Sequence, residues 1–217
     1  MKQCVMASSN VGKIREFNAL LEPRGFEVIP QNSLGIESVP ETGLTFVENA
    51  LIKARHAAHM SGKPALADDS GLVVPALNGA PGLYSARYAA SSEGYPGEST
   101  DERNLNKLLA TLQDLTGTQR AAFYVCILVW LEHPEDPTPL ICEGRWHGFI
   151  AREASGQQGF GYDPIFIPKQ NLPAGCASPD DLTIAPPLAT VAHFDKMAKN
   201  AISHRGLAMR ELLERLA

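Results

Sequence analysis

Short apolar runs alternate with segments whose apolar residues recur every three to four positions. That alternation confines the chain to an α/β architecture. Residues 4–7 read as a strand, residues 8–10 as a polar turn, and the following helix carries Ile14, Phe17, Leu20 and Leu21 on one face. Residues 26–29 read as a second strand. The longest helical pattern covers 42–60, with Phe46, Ala50, Ala54 and Ala57 along one stripe. Leu66 and Ala67 lead into an acidic turn at Asp68-Asp69-Ser70-Gly71, after which residues 72–74 resume extended structure. Thr100 or Asp101 caps a helix bearing Leu105, Leu108, Leu109 and Leu112. Residues 121–131 and 140–150 read as a twisted antiparallel pair forming a second lobe. A Gly-Tyr-Asp-Pro turn and a short strand occupy 160–168. Residues 169–189, with four prolines and little periodicity, read as a loop, and 198–216 as a helix broken around His204-Arg205-Gly206.

No linker divides the 217 residues, so residues 1–217 are expected to form a single domain. Net charge is −5, which excludes the electrostatic footprint of a protein that grips DNA or RNA. A small anionic ligand needs only a local positive pocket. The four cysteines (Cys4, Cys126, Cys142, Cys176) are widely spaced and sit mostly in apolar contexts, as reduced core thiols do. No apolar stretch approaches the ~20 residues of a membrane span, and the first residues lack a signal-peptide core. A cytoplasmic protein with no membrane partner is expected.

Four constellations carry chemistry. Ser8-Ser9-Asn10-Val11-Gly12-Lys13 lies between a strand and a helix, where free N–H groups, hydroxyls and an ammonium suit a phosphate. It is not a Walker A loop. Glu41 precedes a helix that places Glu48, Asn49, Lys53 and His56 on one broad face. Glu41 precedes that helix in a turn where it could meet Asp68-Asp69, and hard oxygen ligands beside a tight turn suit Mg²⁺. Gly159-Phe160-Gly161-Tyr162-Asp163-Pro164 combines close backbone approach with rings that can stack on a flat base. Lys199 with Ser203-His204-Arg205-Gly206 supplies donors for carbonyl oxygens and phosphates. Each segment alone equally suits an ordinary cap, turn or solvated helix face. Together they are the parts needed to hold a metal–nucleotide and hydrolyse it.

In that order, Ser8-x-Asn10-x-x-Lys13, Glu41-Thr42-Gly43-x-Thr45-Phe46-x-Glu48-Asn49-Ala50, Ala67-Asp68-Asp69-Ser70-Gly71-Leu72, Gly79-Ala80-Pro81-Gly82, Gly159 to Pro164 and Ser203 to Gly206 resemble the inosine triphosphate pyrophosphatase family. The resemblance runs from residue 4 to about 215. It implies an elongated two-lobed molecule with a long central mixed β-sheet flanked by helices, an active cleft between the lobes, and a homodimer. It also implies hydrolysis of the purine nucleotides ITP, dITP and XTP to the monophosphate and pyrophosphate with Mg²⁺. On this chain the resemblance makes Ser8 to Lys13 the triphosphate cradle and Glu41 and Asp69 the metal ligands, with Asp68 close by. Asp69 becomes the general base, Lys53 and Lys13 offset charge on the leaving pyrophosphate, and Ser70 contacts substrate. Phe160, Gly161, Tyr162 and Asp163 would hold base and sugar, with Lys199, His204 and Arg205 completing the base pocket. Two departures stand out: residues 169–189 are longer and richer in proline than the family's usual connection, a surface insertion, and Ser9 stands where glycine is common.

Overall fold

The computed structural model describes residues 1–90, 100–181 and 188–216. Its strands are β1 (Lys2–Met6), β2 (Phe26–Pro30), β3 (Ala65–Val73), β4 (Ala121–Leu131), β5 (Leu140–Ile150) and β6 (Phe166–Pro168). The helices are α1 (Val11–Leu21), α2 (Phe46–Ser61), α3 (Asp101–Thr111), α4 (Lys196–Ile202) and α5 (His204–Arg215). The six strands form one sheet in the order β2-β1-β3-β4-β5-β6. β1 runs parallel to β2 and to β3, whereas β5 and β6 are antiparallel, so the sheet is mixed as expected. Both edge strands end in proline (Pro30 and Pro168), which cannot donate to a further strand.

Two compact units emerge, one of residues 1–70, 126–144 and 205–217, the other of residues 71–125 and 145–204. The first has a core of Cys4, Met6, Phe26, Val28, Leu66, Cys126, Leu128 and Trp130, alternate residues of their strands. Phe17 and Leu21 of α1 and Ala208, Met209 and Leu212 of α5 complete it. Val5, Ile127, Val129 and Leu131, pointing the other way, are buried too, as befits strands covered on both faces. α2 packs on β1 through a stripe of small residues, and Ala50, Ala54, Ala57 and Ala58 are all inaccessible to solvent. The second unit gathers Leu72, Val74, Leu105, Leu108, Leu112, Tyr124, Trp146, Ile150, Ile165 and Phe166. The Tyr124 and Phe166 rings lie 4.7 Å apart between centroids. Three cysteines are buried free thiols, and Cys176 is half-buried.

Four expectations are corrected. α2 starts at Phe46 rather than near 42, because Thr45 takes the N-cap and accepts from Glu48 N at 3.2 Å. The Asp68-Asp69-Ser70-Gly71 segment is no turn: β3 runs straight through it to Val73, because each carboxylate meets a cation on the strand's flank. β4 and β5 do not make up a second lobe, since residues 126–144 belong to the first unit. The C-terminal break falls at Ser203, so His204, Arg205 and Gly206 open α5. The 169–189 segment is pinned to the second unit where Asp180 Oδ2 accepts from Gly117 N at 2.6 Å and from Arg152 Nη2 at 2.8 Å. Residues 182–187 of the expected loop lie outside the described residues. Among the described residues no helix is long and apolar enough to cross a membrane.

Candidate active site

In the first unit, β1 delivers the chain into a capped helix start. Asn10 Oδ1 accepts from Lys13 N at 3.1 Å, and Ser8 Oγ accepts from Asn10 N at 3.2 Å. Ser9, Asn10, Val11 and Gly12 are exposed, so the leading end of α1 faces solvent with its positive dipole end and two amides outside the cap, those of Val11 and Gly12. The cap thus leaves a helix end whose free amides and dipole suit an anion.

The turn before α2 is built around Gly43. A β-carbon there would lie 2.5 Å from Glu48 Cβ, so only glycine fits. Gly43 N donates to the buried Asn49 Oδ1 at 2.8 Å, and Glu48 Oε2 accepts from Leu44 N at 2.8 Å and from Thr45 Oγ1 at 2.9 Å. These bonds, that from the Thr45 hydroxyl foremost, hold the Glu48 carboxyl below its ordinary range. Glu48 and Asn49 thus shape the turn that presents Glu41.

Lys53, two turns further along α2, joins the acidic residues. Its Nζ donates to Glu41 Oε1 at 2.9 Å and to Asp69 Oδ1 at 2.8 Å. Asp68, one residue earlier on β3, belongs to a different set. Its Oδ2 accepts from Lys13 Nζ at 2.7 Å and from the Ser70 hydroxyl at 3.5 Å, and lies 3.9 Å from Arg205 Nη2. Arg205 also approaches Glu16 Oε2 at 3.7 Å, and its buried Nε has no hydrogen-bond partner among the described residues.

The two aspartates titrate in opposite directions. Burial pushes Asp68 up, but Lys13 and then Arg205 more than offset it and hold the carboxyl down at about 2. Burial also pushes Asp69 up, Lys53 only partly offsets it, and Glu41 and Asp68 add to the rise, so Asp69 sits above the ordinary carboxylate range. Burial would weaken the Lys53 ammonium, yet Asp69, Asp68 and Glu41 draw its pKa upward. The pair is a permanently ionised Asp68 beside an Asp69 with enhanced proton affinity.

Among the described residues no group of three or more His, Cys, Asp or Glu side chains forms a ready metal cluster. Mg²⁺ does not require one, since it is usually bound by one or two carboxylates with water and phosphate completing the octahedron. Glu41 and Asp69, converging on one ammonium, supply such a pair of hard oxygen donors. They fit the ion; Asp68 is committed to Lys13.

The remaining sequence candidates lie in the second unit. Asp163 Oδ2 accepts from Phe160 N at 2.9 Å and from Lys199 Nζ at 2.5 Å. Lys199 Nζ stands 4.4 Å from the centroid of the Phe160 ring, a cation–π distance. Phe160 is 62% exposed, whereas Tyr162 is buried and its hydroxyl donates to Ser85 O at 2.8 Å. Of the two aromatics, only Phe160 offers its ring to solvent. Gly159 adopts φ 83°, and a β-carbon there would meet Asp163 Oδ2 at 2.1 Å. His204 stacks on Tyr124 with centroids 4.7 Å apart and planes 10° from parallel.

Sequence reasoning did not single out Tyr124 or Glu16, and took Asp101 only as a candidate helix cap. Tyr124 hydrogen-bonds to Asp163, and burial together with that carboxylate drives its pKa well up. A polar-tipped aromatic in the middle of an apolar strand was the available signal. Asp101 Oδ2 accepts from Gly161 N at 2.7 Å, a contact 60 residues away in sequence that no local pattern reveals.

Comparison with known proteins bears on this geometry. The model of the Ham1 family matches residues 4–215. The dITP/XTP pyrophosphatases of Shigella flexneri and Escherichia coli K12 are each 48% identical over the whole of this chain and 98% of theirs. A HAM1 protein from Coxiella burnetii, 44% identical, superposes with a TM-score of 0.84 over 100% of this chain and 98% of its own. A nucleoside-triphosphatase / dITP/XTP pyrophosphatase from Mycobacterium abscessus, 38% identical, gives a TM-score of 0.74 over 99% and 100%.

Proposed function

The chain belongs to the Ham1 family, and from that premise we propose that it hydrolyses dITP, ITP and XTP to the monophosphate and pyrophosphate, using Mg²⁺. It would thereby remove deaminated purines from the nucleotide pool, as a cytoplasmic homodimer. The observation that carries the reading is the Lys53 ammonium held between Glu41 and Asp69, with Asp68 separately neutralised by Lys13. A protein that merely bound nucleotides has no need of a buried pair of acidic groups, each held by its own lysine.

The residues divide the work. The N–H groups of Val11 and Gly12, the Ser8 and Ser9 hydroxyls, Asn10 and Lys13 cradle the triphosphate. Glu41 and Asp69 hold Mg²⁺, which when bound neutralises phosphate charge and acidifies water. Asp69 orients the attacking water and takes its proton. The water attacks the α-phosphorus, and Lys13 and Lys53 offset the charge that develops on the departing pyrophosphate. Ser70 steadies the substrate beside Asp68. Phe160 stacks on the purine while Gly161, Tyr162 and Asp163 set the turn beneath it. Lys199, His204 and Arg205 direct donors at the base.

Selectivity follows from pairing. Hypoxanthine and xanthine carry a carbonyl at C6 where adenine carries an amino group. Buried donors aimed at that position are satisfied by the first two bases and left unpaired by the third, which costs a large factor in rate.

Hydrolysis of dITP in ¹⁸O-labelled water tests the reaction. Attack at the α-phosphorus places the label in dIMP and releases unlabelled pyrophosphate. Label in the pyrophosphate, or stepwise release of inorganic phosphate, refutes it.

A further inference from the structure

The turn that carries Phe160 is held from outside as well as from within. Asp163 closes it on itself by accepting the Phe160 N–H at 2.9 Å. Two residues before Asp163, Gly161 N donates instead to Asp101 Oδ2 at 2.7 Å. Asp101 is the first residue of α3, directly behind its N-cap Thr100, which accepts from Arg103 N at 3.2 Å. Leu105 and Leu108 anchor that helix in the same core as Tyr162 and Ile165. A carboxylate on a packed helix therefore grips the backbone of the aromatic turn.

Such a grip matters because little else among the described residues fixes the exposed side of the turn. Gly161 sits at φ 61° with nothing among the described residues within 4 Å of where a β-carbon would be, so their packing does not restrain it. Phe160 is 62% exposed, and its ring lies against the Lys199 ammonium. The ring's position is thus set by its backbone, and that backbone by two carboxylates together with the turn's own Asp163 N–H to Phe160 O bond at 3.2 Å. A hydrogen bond to an ionised acceptor is about twice as strong as a neutral one.

We propose that Asp101 is a positioning residue: by holding Gly161 N it fixes the turn and so the aromatic face offered to the purine. The proposal rests on the reading of Phe160 as the platform for the base. Order established before binding is not lost on binding, so removal of the grip shows in substrate affinity rather than in the chemical step.

Asp101→Ala and Asp101→Asn separate this role from that of an acidic first-turn residue favouring α3 through its dipole. The carboxamide oxygen of Asn still accepts from Gly161, but its charge is gone. Asp101→Ala is expected to raise KM for dITP about tenfold, equivalent to ~1.4 kcal/mol, with kcat within about twofold. Asp101→Asn is expected to restore KM to within about threefold of wild type. Amide exchange in a peptide spanning 159–163, measured without nucleotide, is expected to quicken in Asp101→Ala while peptides of α3 stay protected. An unchanged KM in Asp101→Ala, or equal losses in Ala and Asn with α3 deprotected, overturns the proposal. A wild type unable to hydrolyse dITP refutes the function instead. Exchange at 159–163 then still decides whether Asp101 orders the turn, and unchanged exchange overturns that as well.

Discussion

At the scale of single residues, the account turns on Lys53. It is the cation shared by Glu41 and Asp69, and it restrains a pKa that burial drives upward. Lys53→Met removes that restraint, so the folded-state pKa of Asp69 rises further. An ionised base is present only above that pKa; the acidic limb of the kcat–pH profile is therefore expected to move to higher pH, with kcat at neutral pH falling roughly a hundredfold or more. A limb that stays in place assigns the base to another group. The acidic pair itself was legible in the sequence as Asp68-Asp69 after an apolar run. Which lysine serves which carboxylate was not, because in a strand neighbouring side chains point to opposite faces. Expecting a turn there concealed the division of Asp68 to Lys13 and Asp69 to Lys53.

At the scale of elements, periodicity located β4 and β5 to the residue and β1 and β2 to within one or two, but split β3 with a turn that is not there. It failed where a side chain outvoted it. Thr45 with Glu48 moved the start of α2, and Ser203 rather than Gly206 separates α4 from α5. The aromatic turn is the element most exposed to a single change. Gly159→Ala forces a side chain into φ 83° and onto Asp163 Oδ2, at 2.1 Å from the ideal β-carbon. The expected result is a loss of roughly 2 kcal/mol in chemical denaturation together with a raised KM for dITP. A variant as stable and as tight-binding as wild type contradicts the geometry drawn for residues 159–163.

At the scale of the whole molecule, the chain forms two compact units, each with its own core. β3, β4 and β5 each have residues in both compact units, whereas β1 and β2 belong wholly to the first and β6 to the second. Leu66→Ala in one core and Leu108→Ala in the other, both at fully buried positions, are each expected to cost roughly 2–5 kcal/mol. Both should lower the same single calorimetric transition. Two separable transitions, each answering to one substitution, would mean that the units unfold independently. The α/β class and the order of motifs were readable from the chain. Its partition into units was not, because the long strands carry no local mark of where one core gives way to the next.

The central claim is tested most directly by pyrophosphate release from dITP, XTP, dGTP and dATP with Mg²⁺, comparing wild type with Asp69→Asn. Fast release from dITP and XTP alone, abolished in the variant, is the result the account predicts. Equal slow turnover of all four nucleotides, or turnover that survives Asp69→Asn, contradicts it.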